Sequence, residues 1–303
     1  MNQIKTKYLY ITVFLILVYS FSILLLAIYV FSFLPDNRAL KLLILLCFSI
    51  LLGTLTTIGI SFFDSALSGS TSTMLQFESL SNPLIMKLSS EAPGTYHHSS
   101  NVSTLAQKSA EAIDANSLLV RTAAYYHDIG KLENPLSFIE NQSGIEVPTD
   151  LDANSIRKNA QAIISHVEKG VEIAQKYNLP QEIIDLIKEH HGTTKALYFY
   201  TIAKERGLKI KKTDFRYKGP VPQSRESLIL MLADCIEATA KAQQNLTPEK
   251  IKEIIDNTIK ERIAEKQFKH SGISKKEVIK IKIALNDGLN SIYHQRIEYP
   301  TKK

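Results

Sequence analysis

Cysteine is scarce in this sequence, and the commonest phosphate-binding glycine loops are missing. The 303 residues contain two cysteines, Cys47 and Cys235, without the spacing of a disulfide or zinc framework. Such thiols fit a reducing compartment. Cys235 lies in an apolar helical run, which is typical of a core position and not of a nucleophile. No G-x-x-x-x-G-K-[ST] or G-x-G-x-x-G segment occurs, so the sequence gives little support for a P-loop or a dinucleotide-binding fold.

The sequence also has no dense Lys/Arg run interleaved with aromatic residues. Its net charge of +6 comes from 36 basic and 30 acidic residues spread along the chain. We therefore expect no nucleic-acid polymer as a partner. This modest basic balance fits a solvated helical surface near anionic lipid.

Two long apolar runs are present, and both lack charged residues. They cover residues 8–34 and 42–63, and only a short segment that begins with "PDNR" separates them. Each run exceeds the ~20 residues that cross a bilayer as a helix. The first run is too long for a signal peptide and has no A-x-A-like cleavage site. We predict a transmembrane hairpin over residues 1–64, with the lipid bilayer as partner, although the flanking charges do not decide its orientation.

The rest of the chain predicts one all-α domain. A Ser/Gly-rich stretch indicates a linker over residues 65–81. From residue 82 to residue 303, apolar residues recur at helical spacing and no strand alternation of any length occurs. We predict that residues 156–178 form a single helix, and that Gly130 ends the helix before it.

Histidine and aspartate residues recur at predicted helix ends and on apolar helix faces. Six of the eight histidines lie between residues 96 and 192, and Asp234 is embedded in an apolar helical run. A lone histidine such as His166 is more often a core residue, but a buried aspartate needs a partner or a cation. The side chains that can converge are His98, His127, Asp128, His166, His190, His191 and Asp234. This mixed set suits Mn, Fe or Zn, and its size suits two ions that share a carboxylate.

Several motifs carry a family resemblance. His98, the His127-Asp128 pair and Asp234 match the ordered H…HD…D signature of HD-domain metal phosphohydrolases, and His166 with "HHG" matches the two-metal branch. The segments "EAPGTYHHS", "YYHDIGK", "FIENQ", "HHGTT", "FRYKGPVPQSRES" and "LADCIEA" closely resemble the membrane-bound HD phosphodiesterases of the PgpH type, which hydrolyse cyclic di-AMP. The resemblance covers residues 91–240. It implies an HD-domain helical bundle, which would follow the predicted transmembrane helical hairpin.

The sequence departs from this family in two places. Family members have a large extracellular domain and seven spans, whereas we predict two spans and a short form. Where relatives commonly read "YPGP", this chain reads "YKGP". The "HHGTT" segment also lacks the acidic residue and "GYP" of the HD enzymes that act on cyclic di-GMP.

The resemblance implies two metal sites and the residues that form them. His98, His127, Asp128 and Asp234 would hold one divalent transition-metal ion, Mn or Fe, and His166, His190 and His191 the other, with Asp128 bridging. Asp128 and Lys131 would be catalytic, with Lys131 directed toward a phosphate oxygen. Between the neighbours His97 and His98, the family spacing and the apolar positions that follow select His98. Its stripe continues at Val102, Leu105 and Ala106.

From this resemblance we predict a phosphodiesterase at the cell membrane that converts cyclic di-AMP to linear pApA, with a cytoplasmic catalytic domain. Two alternatives stay open: an HD nucleotidase or phosphatase with another substrate, and a membrane-tethered nucleotide receptor without turnover. Retention of all seven candidate ligands argues against the receptor. The sequence leaves homo-oligomerisation open.

Overall fold

The chain folds into two compact units of very different size. The computed structural model describes residues 37–142 and 152–293, together with scattered positions between 18 and 32. The first unit is Met1–Thr73 and the second is Met74–Lys303. Within the described residues the protein is all-α, as predicted, and an isolated bridge between Lys195 and Arg216 is the one β-type pairing there.

Helix α1, Arg38–Glu78, contains an apolar stretch long enough to cross a membrane. This stretch is Ala39–Gly59, with a mean hydropathy of 2.3, and it overlaps the predicted second span. The predicted first span, residues 8–34, lies largely outside the described residues.

The predicted linker is helical over most of its length, because α1 continues to Glu78 and only the next few residues are irregular. Ser and Thr cost only a few tenths of a kcal/mol in a helix, and extending an existing helix requires no new nucleation.

The second unit is a bundle of helices, most of which follow one another through short connections. They are α2 Pro83–Glu91, α3 Pro93–Ala112, α4 Ser117–Tyr126, α5 Ala153–Ile164, α6 His166–Lys176, α7 Gln181–Glu189, α8 Leu197–Glu205, α9 Arg225–Lys241, α10 Pro248–Ala264 and α11 Lys275–Ile292. The longer connections precede α5 and α9. Side-chain caps fix several starts: Asn82 accepts a hydrogen bond from the Leu84 N–H, and Ser274 forms a capping box with Glu277.

The core of this unit forms where α3, α4, α7 and α9 pack together. Helix α9 is buried on nearly all sides, since Leu228–Ala233 are each at most 1% exposed. Val102 and Leu105 of α3 and Ile183 and Ile187 of α7 are fully buried. Burying one such side chain stabilises the fold by about 1.5–3 kcal/mol. The ends of these core helices are therefore rigid platforms for functional side chains.

The end of α1 is attached to α4, the helix that leads into His127. The Tyr126 hydroxyl donates a hydrogen bond to the Phe77 carbonyl. The Arg121 guanidinium pairs with the Glu78 carboxylate, with Nε 2.5 Å from Oε1. Both contacts lie within the second unit.

Two local predictions in this region are wrong. The segment predicted as one helix is interrupted at Ser165, so His166 begins α6 instead of lying within a continuous helix. Gly130 does not end α4, which stops at Tyr126, but lies in the 3₁₀ turn Ile129–Glu133. A Cβ at Gly130 would lie 1.9 Å from the His166 carbonyl oxygen. Glycine is required there because the α6 backbone approaches closely.

Candidate metal centre

Three histidines lie at helix boundaries, and all three make the same contact with the main chain. His127 and His190 are the C-terminal caps of α4 and α7, and His166 begins α6. In each, Nδ1 lies close to the main-chain carbonyl oxygen three residues earlier, at 2.7 Å for His127, 2.6 Å for His190 and 2.5 Å for His166. A carbonyl oxygen only accepts, so Nδ1 carries the proton and donates. The Nε2 lone pair of each ring is left free to bind a cation.

Asp128 lies between two groups of candidate ligand atoms. Its Oδ2 is 3.3 Å from His127 Nε2 and 3.8 Å from His98 Nε2. Its Oδ1 is 3.2 Å from His166 Nε2 and 3.8 Å from His190 Nε2. The two oxygens of one carboxylate therefore face different groups.

Asp234 and His191 complete these groups. Asp234 Oδ1 is 3.1 Å from His98 Nε2, and its Oδ2 is 3.6 Å from His191 Nδ1. Within each group the ligand atoms all lie within 4.8 Å of one another. One group is His98, His127 and Asp234, and the other is Asp128, His166, His190 and His191. The structure thus brings together all seven side chains that were expected to converge.

Two observations show that this arrangement fits metal ions. The Nε2 atoms of His166 and His190 are 3.2 Å apart, although both rings use their proton at Nδ1. Two lone pairs that face each other are repulsive unless a cation lies between them. His127 Nε2 and Asp128 Oδ1 are also buried without a well-formed hydrogen bond. Buried polar atoms of this kind are stabilised by a cation that they can coordinate.

The pKa values of the histidines also favour metal binding. Burial lowers the pKa of His127, but the carboxylates of Asp128 and Asp234 raise it overall to about 10. Burial and the neighbouring imidazoles lower the pKa of His190 to about 3, and the pKa of His191 falls well below its usual value for the same reasons. The carboxylates of the first group therefore attract positive charge, while His190 and His191 of the second group are neutral rings, the form in which histidine binds metals.

Lys131 lies beside Asp128 at the edge of the centre. Its Nζ is 2.7 Å from Asp128 Oδ2 and 2.6 Å from Glu140 Oε1. Burial lowers the pKa of Lys131, but these two carboxylates raise it above its usual range, so the amine is charged. The ammonium also lies 5.0 Å from the centre of the Phe138 ring. Ion pairs with Asp128 and Glu140 thus fix the position of Lys131 at the edge of the centre.

The centre opens into a cavity of about 790 Å³. Its apolar wall includes Phe138, Ile163 and Phe199, and its cations include Lys195, Lys241 and Arg262. The Tyr217 ring stacks on His191, with ring centres 4.1 Å apart. An anionic ligand with flat apolar parts matches such a lining.

Glu237 was not among the predicted site residues, and it is fully buried against His98. Burial raises the pKa of Glu237, but its hydrogen bond with His98 lowers it overall, so the group is a carboxylate. The quoted "LADCIEA" segment holds a signal, because Glu237 follows Asp234 by three residues and so shares its helix face.

Comparison with known proteins places these observations in a family. A family model described as the HD domain matches residues 95–239. The cyclic-di-AMP phosphodiesterases PgpH of Bacillus subtilis and Listeria monocytogenes are 41% and 44% identical to this chain, each over 77% of it. The chain spans about a third of the length of these curated relatives, 33% and 32%.

A solved structure also matches the second unit. The HD domain of L. monocytogenes PgpH in complex with cyclic-di-AMP has a TM-score of 0.67 and 44% identity to this chain. The match covers 72% of this chain and 100% of that domain. The HD-domain match over residues 95–239 includes all seven converging side chains. The chain belongs to the HD-domain family and, within that family, to the PgpH type.

Proposed function

We propose that this protein is a membrane-anchored, metal-dependent phosphodiesterase that hydrolyses cyclic di-AMP to linear pApA. The observation that carries the proposal is the pair of ligand groups that share Asp128 at the base of a cavity of about 790 Å³. The PgpH relatives support the substrate, because they are named as cyclic-di-AMP phosphodiesterases and the HD domain of one was solved with that nucleotide.

The chain's own residues provide two places for divalent transition-metal ions, Mn or Fe. His98, His127, Asp234 and Oδ2 of Asp128 would hold one ion. His166, His190, His191 and Oδ1 of Asp128 would hold the other. The chemistry that such ions supply is polarisation of the phosphodiester and acidification of a water molecule.

In the proposed reaction, water adds to one phosphorus atom and the bond from that phosphorus to the ribose 3′ oxygen breaks. The product then carries a 5′ phosphate and a 3′ hydroxyl, which is pApA. Asp128 would fix the distance between the two ligand groups, because the two oxygens of its rigid carboxylate face one group each. Lys131 places its charge at the cavity wall, where it can stabilise negative charge on a phosphate oxygen.

The same proposal places the protein at a membrane. The apolar segment Ala39–Gly59 and the run at residues 8–34 would form the two-span anchor. The catalytic unit would face the cytosol, where cyclic di-AMP is made. Protease treatment of inverted and right-side-out vesicles tests this, since only inverted vesicles should expose the second unit to cleavage.

Hydrolysis is tested with the full chain in detergent micelles, supplied with Mn or Fe and given cyclic di-AMP, cyclic di-GMP or adenine mononucleotides. We expect the highest kcat/KM for cyclic di-AMP, with pApA as product, and turnover lowered about a thousandfold or more in the Asp128→Asn control. A preference for cyclic di-GMP or mononucleotides contradicts the substrate and favours another HD hydrolase. Tight binding without any turnover contradicts the enzyme and favours a receptor.

A further inference from the structure

Glu237 is a buried carboxylate whose hydrogen bonds are all to neighbouring side chains. It lies on α9 and is 0% exposed. Its Oε2 is 2.5 Å from His98 Nδ1, and its Oε1 accepts hydrogen bonds from Asn101 Nδ2 at 2.9 Å and from the Tyr293 hydroxyl at 3.0 Å. Three donors offset the cost of burying this charge.

The support given to His98 differs from that given to the other histidines of the centre. The Nδ1 atoms of His127, His166 and His190 contact neutral main-chain carbonyls. Among the described residues of the two ligand groups, His98 is the one whose Nδ1 lies within hydrogen-bond distance of a carboxylate, since His191 Nδ1 is 3.6 Å from Asp234 Oδ2. A carboxylate holds the Nδ1 proton more strongly than a carbonyl, and it makes the opposite nitrogen a better electron donor.

The residues around Glu237 hold its carboxylate in place against His98. Glu237 lies three residues after Asp234 on α9. The same helix face therefore carries the candidate ligand Asp234 and the carboxylate that holds His98. Asn101 lies three residues after His98 on α3, and its amide holds the second oxygen of Glu237. Tyr293 caps α11, so the last described helix also contributes to this arrangement.

We propose that Glu237 is a positioning residue for the first metal site, and that Tyr293 positions it in turn from the end of α11. Glu237 fixes the tautomer and ring orientation of His98, so that Nε2 faces Asp234 and Asp128. This inference rests on the proposed function, because it requires that His98 bind a metal ion.

The test is metal binding by the full chain in detergent micelles, measured by Mn titration and by elemental analysis after dialysis. Glu237→Gln keeps the size of the side chain and removes its charge. We expect one of the two ions to bind about 10–100-fold more weakly, with the other unchanged. The matched control is Glu226→Gln on the same helix, about 16 Å along the axis. Glu226 accepts a hydrogen bond from the Asn116 N–H, and this variant should keep both ions.

A second variant removes one hydrogen bond to Glu237 without altering any candidate ligand or buried charge. Tyr293→Phe removes one hydrogen bond at a helix end, so the fold is expected to persist and the same ion should bind a few-fold more weakly. Raising the Mn concentration should restore turnover in both Glu237→Gln and Tyr293→Phe, which a general loss of folding would not allow.

The outcomes separate this inference from the proposed function. If wild type binds two ions and Glu237→Gln and Tyr293→Phe bind both with wild-type affinity, the inference is wrong and the proposed function stands. If wild type binds neither Mn nor Fe, both are wrong. Equal weakening of both ions in Glu237→Gln also overturns the inference, since the support is directed at His98 alone.

Discussion

Asp128 is the residue on which the two ligand groups depend, because each of its oxygens faces a different group. Burial raises its pKa, but His127 and Lys131 lower it far below its usual value, so it is a carboxylate. A charged oxygen can bridge two cations, whereas an amide offers one neutral oxygen and an N–H₂ group that repels a cation.

We therefore expect Asp128→Asn to lower turnover about a thousandfold or more, the equivalent of ~4 kcal/mol of transition-state stabilisation. Circular dichroism should show an intact fold, because asparagine is nearly isosteric. Rates are measured on cyclic di-AMP at saturating Mn. A folded variant with wild-type turnover would remove Asp128 from the mechanism.

The neighbours His97 and His98 allow a matched comparison. His98 is 6% exposed and faces the centre, whereas His97 is exposed and contacts the Tyr96 ring. His98→Ala should lose one metal ion and most of its activity. His97→Ala should keep both ions and at least part of its turnover. Metal content and initial rates decide the matter, and the reverse pattern would contradict the placement of His98 in the centre.

At the scale of single residues, the sequence allows some of these positions to be predicted and hides others. His98 could be chosen over His97 because Val102, Leu105 and Ala106 mark the buried stripe, and all three are fully buried. Glu237 could not be recognised as support for His98, because helical spacing relates it to Asp234 but gives no information about contacts 139 residues away.

At the scale of elements, the turn after α4 packs closely against the start of α6. Gly130 lies against the His166 carbonyl and against Gly170 of α6, so this contact sets the distance between Asp128 and His166. A methyl group has no room there, since the atoms that it would meet are backbone and cannot rotate away.

We expect Gly130→Ala to destabilise the second unit by ~3 kcal/mol and to weaken metal binding by His166. The matched control is Gly207→Ala, where no atom lies within 4 Å of the added carbon and the backbone φ is +63°. That control should lose only ~1–2 kcal/mol, from the left-handed conformation, and should keep both ions. Thermal unfolding and metal content are measured for each variant. Equal loss of metal in the two variants would mean that the close approach does not position His166.

The elements themselves were mostly predictable, because helical periodicity and caps are local signals. The Asn82, Thr247 and Ser274 starts all follow from residues within one turn of the helix. The interruption at Ser165 and the extension of α1 through a Ser/Gly-rich segment were not. The first depends on tertiary contacts and the second on the helix that precedes the segment, and the local composition gives no information about either.

At the scale of the whole molecule, the centre joins five helices through mostly buried side chains, and the facing Nε2 atoms of His166 and His190 repel each other without a cation. Metal binding to the folded state alone stabilises that state, by ~2.7 kcal/mol for one ion at 100 times its Kd. For a domain of this size we expect chelation to lower the Tm by roughly 5–10 °C. Differential scanning of the full chain with and without a chelator measures this shift. Asp128→Asn should show a much smaller shift, and an equal shift in that variant would place the bound metal elsewhere.

The order of synthesis limits when this centre can be assembled. His98 contacts Asp234 across 136 residues, and Glu237 accepts a hydrogen bond from Tyr293 a further 56 residues along. At a translation rate of roughly 5–20 residues per second, about 7–27 seconds separate the synthesis of His98 from that of Asp234. The apolar segment of α1 leaves the ribosome before any of these ligands. Closure of the first ligand group is therefore a late event, which follows the emergence of α9 and cannot guide the folding of the helices made before it.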